Sequence, residues 1–198
     1  MATGEYIVGR KVYRRPQALC FSEEEPIETT YGGETVLIPQ GDEFLNFIIL
    51  SDHNRSPLNM GVSRIGKRER GINARMRAYW IADKLTISTS WKMLPSRGWP
   101  AAAQIDGTTG INLANYSDKF TADGGAGGNE LLEWHKGHTG SFWVLLAYDR
   151  YPVAGDFTSL GRYNEVVEMF IDDFSYDVIH RGGTNLDFWD IDIKLEEA

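Results

Sequence analysis

Cysteine is almost missing: Cys20 is the only one in 198 residues, so the chain can form no internal disulfide and no thiolate metal cluster. That scarcity suits a reducing compartment and argues against redox chemistry. No apolar run approaches the roughly 18 to 20 residues that cross a bilayer, and Met1 to Arg15 lacks the apolar centre of a signal peptide. A soluble, unsecreted chain with no membrane partner is the expectation. Positive charge is short as well: 20 Lys and Arg against 28 Asp and Glu leave a formal charge of −8. This excludes stable binding to DNA or anionic lipid by bulk attraction, though a local patch could still do it. Nucleotide, esterase and zinc-peptidase signatures are also absent, with no Gly-Lys-Ser/Thr ending, no completed G-x-G-x-x-G, no Gly-x-Ser-x-Gly and no His-Glu-x-x-His.

What is present is an ordinary globular composition, with 42% hydrophobic and 24% charged residues, on a length that suits one core rather than two. Residues 1–198 therefore read as a single domain. Gly at 21 residues and aromatics at 12% tilt the expectation toward strands and turns. Period-two alternation is clearest at Lys84 to Leu94, where Leu85, Ile87, Thr89, Trp91 and Met93 alternate with polar neighbours. Ile72, Ala74, Met76, Ala78 and Trp80 alternate just before it, and the link Ala82-Asp83 predicts a hairpin between the two stretches. Trp189, Ile191, Ile193 and Leu195 predict a C-terminal strand with a charged outer face. Further strands are predicted at Tyr6 to Tyr13, Thr35 to Pro39, Glu43 to Leu50, Ser141 to Tyr148, and Glu165 to Ile179 with a break near Asp172-Asp173. One short helix is predicted after Asn129 as its cap, with Leu131, Leu132 and Trp134 on its apolar side and Gly137 at its end. The fold class is mainly β with one short flanking helix, an N-terminal arm (about 1–43) and a long loop (97–128).

Charge order says more than the total. Seven acids and no base lie between Glu23 and Glu43, among them Glu23, Glu24, Glu25 and Glu28. Arg64, Lys67, Arg68, Arg70, Arg75 and Arg77 then follow with one acid, Glu69, and from Glu165 onward ten acids face only Arg181 and Lys194. Each run taken alone reads as a solvated face. Together they predict a basic face that meets an acidic face on another copy, a heterologous contact that builds rings or stacks.

Chemistry-bearing groupings are thin. His135 and His138 are three apart, but Gly137 between them ends the helix, so exposed or hydrogen-bonded histidines are expected and no metal. Asp123 to Gly128, DGGAGG, could offer amides to a phosphate at the helix start, yet Glu130 puts a negative charge there and a tight turn is the simpler reading. Asp172-Asp173 and Asp190/Asp192 evoke sugar hydrolysis, but Asp190 and Asp192 share the outer face of a strand. Of six tryptophans, Trp80, Trp91, Trp143 and Trp189 fall on apolar strand phases and are assigned to the core, whereas Trp99 in the long loop is assigned to a partner surface with Asp123 and Gly125. No catalytic residue, metal or cofactor is expected. A sugar-stacking β-sandwich used in host recognition is the second reading.

Several ordered segments carry a resemblance. IADKLTISTSWKMLPSR at Ile81 to Arg97 with MRAYW before it, TADGGAGGNELLEW at Thr121 to Trp134, FWVLLAYD at Phe142 to Asp149 and DFWDIDIKLEE at Asp187 to Glu197 resemble small tail proteins of tailed bacteriophages, over about residues 44–198. The resemblance implies a tail-tube-like β-sandwich or rolled barrel and a structural virion protein of the tube or the tip and baseplate junction. It implies assembly into a hexameric ring with other tail proteins above and below, in the host cytoplasm. DNA would pass through a central channel without specific binding, which the net negative charge suits.

Overall fold

The computed structural model describes residues 19–31, 34–41, 45–70, 75–98, 120–147, 163, 165–181 and 186–198. The elements in chain order are β1 (Leu19–Ser22), β2 (Ile27–Tyr31), β3 (Glu34–Ile38), β4 (Phe47–Ile49), β5 (Asn59–Arg70), β6 (Met76–Pro95), α1 (Gly128–Gly137), β7 (Phe142–Leu146), β8 (Glu165–Arg181) and β9 (Asp187–Glu197). Seven strands form one antiparallel sheet in the order β4-β1-β7-β8-β9-β6-β5, and β2 pairs with β3 in a second, two-stranded sheet. Among the described residues the fold is mainly β with one short helix, as expected. Of the two expected forms the barrel is set aside: the sheet is open, with β4 and β5 at its edges.

Alternation decides which side of the sheet is dry. Ile87 and Trp91 on β6, Ile191, Ile193 and Leu195 on β9, Met169 on β8, Val144 and Leu146 on β7 and Leu19 and Phe21 on β1 bury one face. The helix lies over that face through Leu131 and Trp134. At the β4-β1-β7 end the opposite face is buried too, by Cys20, Phe47, Ile49 and Leu145 with Tyr163 and Leu37. β7 and β1 are therefore buried on both sides, which is why FWVLL reads as an unbroken apolar run instead of an alternating one.

Three local expectations change. β6 is a single strand of 20 residues, not a hairpin about Ala82-Asp83. Its apolar phase switches from even to odd positions there because the register slips: Ile65 faces Ala82 while Gly66 faces Trp80, so Ile81 is an extra residue on β6. A bulge flips the phase of everything beyond it, and a flipped phase imitates a turn. The break expected near Asp172-Asp173 is likewise a register shift within a continuous β8. The helix starts two residues earlier than Asn129 as cap would allow: Gly127 is its cap, and the Glu130 carboxylate reaches back to the Gly127 N–H at 2.9 Å. The strand expected at Tyr6 to Tyr13 lies outside the described residues.

Candidate assembly surface

The β5–β6 hairpin runs on past the body of the sheet. β9 pairs with β6 only from Thr86 to Pro95, so Val62 to Arg70 and Met76 to Leu85 pair with each other alone. At ~3.3 Å per residue this two-stranded arm is about 30 Å long. Every residue of β5 from Val62 on is exposed, and so is β6 from Met76 to Ile81. An isolated two-stranded ribbon is marginal in water. This one nonetheless presents Val62 (67% exposed), Trp80 (66%), Ile81 (70%), Met76 and Tyr79 to solvent. Trp80 was assigned to the core from its phase, and the structure corrects that: the core ends before the strand does.

All six predicted bases lie on or beside the arm, and the register separates them. Paired residues share a face, so Arg64, Arg68 and Arg70 stand with Val62, Met76, Ala78 and Trp80, on the continuation of the face that carries Ile87. Lys67 and Arg77 stand on the other face with Glu69 and Tyr79. Arg75, at the arm's tip, is exposed. Five of the six bases thus divide between two faces, not the one expected. Arg64 is held by a two-pronged bond to Asp83, 2.8 and 2.9 Å, and Trp80 Nε1 donates to the same carboxylate at 3.0 Å. These two donors, Arg64 first, hold the Asp83 carboxyl down at about 2. Lys67 bonds Glu69. Arg68, Arg70 and Arg77 make no ion pair among the described residues. Between Arg64, Arg68, Tyr79 and Trp80 lies an open hollow of about 710 Å³. Gly66 lines it, and a Cβ there would sit 2.5 Å from the Tyr79 carbonyl oxygen of the paired strand.

The predicted acids sit elsewhere. Glu23, Glu24 and Glu25 follow β1, near the edge of the sheet opposite the arm, and Glu28 lies on β2; all four are exposed. Glu23 is engaged within the chain by His138 Nε2 at 3.1 Å and by the Asn46 amide at 3.3 Å. The denser negative surface is the outer face of β8, β9 and β6. There Asp173 faces Lys194, Ser175 faces Asp192 and Asp177 faces Asp190 directly. Asp190 is lowered by the Met93 N–H and by Lys92. Asp173, Asp177 and Asp192 make no ion pair among the described residues. A groove of about 260 Å³ between Ser56, Asn59, Ser88, Ser90, Asp173 and Asp192 runs into this face.

The remaining candidates are structural. Asp123 is 2% exposed; it accepts bonds from Ser51 Oγ at 2.6 Å, Asp52 N at 2.8 Å and Gly125 N at 3.0 Å. Gly125 packs so tightly on Ser51 that a Cβ would lie 2.7 Å from its backbone. Both were expected to touch a partner; instead they tie the loop to the body. Trp99 lies outside the described residues. The amides at the helix start, weighed above as a phosphate cradle, are occupied by the chain's own Glu130, whose oxygens accept from Gly98 N at 3.3 Å and Gly127 N. Burial pushes the Glu130 carboxyl up to about 7. The two helix histidines diverge, His135 stacking on Phe174 and His138 on Trp134. Trp91 and Trp189 are core residues as assigned, whereas Trp143 is only half-buried.

The surface that sequence reasoning missed is apolar: Val62, Trp80 and Ile81 on the arm. The phase flip at Ile81 was the available signal. No helix of the described residues is long and apolar enough to cross a membrane. No family model matches the chain, and no curated protein matches it. Among solved structures the chain is similar to one from the tail of an empty GTA particle, refined with C6 helical symmetry; the TM-score is 0.35 and the identity 10%, over 91% of this chain and 90% of that one.

Proposed function

We propose that this chain is a structural, non-enzymatic subunit of a bacteriophage tail, in the tube or at the tip and baseplate junction, that acts by joining copies of itself and other tail proteins in a ring. One observation carries the reading: a marginal two-stranded ribbon that holds Trp80, Val62 and Ile81 in water, beside Arg68, Arg70 and Arg77 with no ion pair among the described residues, is what a covering neighbour would stabilise. The likeness of the quoted segments to small phage tail proteins supplies the setting, including six-fold closure and a channel for DNA. The arm is basic and the acids lie on other strands, so a charge-paired contact joins different patches, and a heterologous contact of that kind builds rings or stacks.

Electron microscopy of the purified protein, and of the particle that contains it, tests this reading. Rings or tubes with one chain per repeat are the expected result. Replacing Arg75 and Arg77 by Glu is expected to impair their formation while leaving a folded monomer. Normal rings from that variant would count against charge pairing through the arm, and a catalytic turnover assigned to the chain would overturn the structural reading itself.

A further inference from the structure

We infer that the partner surface for the β5–β6 arm is the acidic outer face of β8, β9 and β6 on a second copy. The inference rests on the reading that the arm is an assembly device, and it names the surface that receives it.

The arm's cations without an ion pair among the described residues are Arg68 and Arg70 on one face and Arg77 on the other. On the outer sheet face the corresponding anions are Asp173, Asp177 and Asp192. Within one chain Lys92 and Lys194 lie among these acids and attract them, Lys92 drawing Asp177 and Asp192 and Lys194 drawing Asp173, but the acids outnumber the two bases. Asp177 stands directly across from Asp190, an arrangement that destabilises a strand pair, and the nearest bases, Lys92 and Lys194, are already bonded to Asp190 and Asp172.

The chain cannot satisfy this complementarity alone. The arm is the continuation of β6, one of the three strands that carry the acids and their polar neighbours, so it leads away from that face within the same sheet. The contact must form between copies. Phe170, 42% exposed on the same outer face, offers an apolar surface for Trp80. Glu23 to Glu28 is the weaker receiver, because Glu23 is already held by His138 and Asn46. A nucleic acid would also attract arginines, but the three large apolar side chains beside them fit a protein surface better.

The test is a charge swap on the full chain, read by sedimentation velocity and electron microscopy, with circular dichroism confirming the fold of each variant. Arg68→Glu with Arg70→Glu, and separately Asp173→Arg with Asp177→Arg, are each expected to weaken self-association at least tenfold. The four changes together are expected to restore it. Cys20 is fully buried, so engineered cysteines at Arg68 and Asp173 in separate chains should cross-link only when the two are mixed. Loss of assembly on reversing the arm, with none on reversing Asp173 and Asp177, overturns this inference and leaves the arm reading standing. Indifference to both reversals, or a wild-type chain that stays monomeric up to millimolar concentration, overturns both. Salt-dependent binding of the arm to duplex or single-stranded DNA, lost in the arm variant while self-assembly is unchanged, replaces the second copy with nucleic acid.

Discussion

Glu130 makes the folded chain less stable as the solution becomes more alkaline, and the size of the effect follows from its surroundings. Its carboxyl is pushed from 4.5 to about 7, chiefly by burial, which outweighs the N–H bonds from Gly98 and Gly127 that favour the ionised form. In the unfolded chain the group loses its proton near 4.5; in the folded chain it keeps it until near 7. Between those values the folded state binds more protons, so stability falls as pH rises and levels off above about 7. At 1.36 kcal/mol per unit the full penalty is about 3 kcal/mol, of which about 2 to 3 kcal/mol appears between pH 5 and pH 8. Asp83 and Asp190 shift the other way and act at lower pH, outside this window. Glu130→Gln keeps one carbonyl acceptor and removes the titration. Urea denaturation of wild type and variant at pH 5, 6, 7 and 8 isolates the effect, because every other group cancels in the difference. The expected difference grows by about 2 to 3 kcal/mol in favour of the variant from pH 5 to pH 8. A difference that stays flat across that range would falsify the account of a buried, desolvated carboxyl.

Other outcomes follow from the core and the loop that braces it. Trp91 is fully buried and its Nε1 donates to the Ser51 carbonyl at 2.7 Å, so Trp91→Ala should cost about 3 to 5 kcal/mol in denaturation and Trp91→Phe should still cost about 1 to 3 kcal/mol for the orphaned carbonyl. Gly125→Ala drives a methyl into the Ser51 backbone and should cost about 1 to 3 kcal/mol, while Gly140→Ala, with nothing within 4 Å of its Cβ position, should stay within about 0.5 kcal/mol. Asp123→Asn leaves one of three donors facing an amide NH₂ and should lower stability by about 1 to 3 kcal/mol. Trp80→Ala should leave the monomer's melting temperature nearly unchanged, since the indole is mostly in water, yet reduce self-association.

How much of this was legible beforehand depended on whether a signal was local. The alternation at Trp189 to Leu195 reports a half-buried strand wherever it sits, and β9 is there. The apolar run at Phe142 to Leu146 marks a strand covered on both sides, and β7 is covered on both sides. The same pattern at Met76 to Trp80 carries no such guarantee. Its apolar residues alternate as a core strand's do, but they lie beyond Leu85, the β6 side chain at the base of the arm that still packs against the core. Asp123 behaved in the opposite way: a charged residue in a glycine-rich loop looks exposed, and only the approach of Ser51, 72 positions away, makes a buried acceptor of it.

By itself, then, the sequence determined the class of the fold, most of the described strands, the helix after Gly127 and the separation of positive from negative segments, because periodicity and charge order are properties of neighbouring residues. The tertiary structure alone decided that β5 and β6 outrun the sheet, that five of the six predicted bases divide between two faces, and that the acids of β8 and β9 gather on one outer surface. Those facts depend on register, and register is set by which strands pair and where a bulge such as Ile81 slips the pairing by one residue, turning every side chain beyond it to the other side.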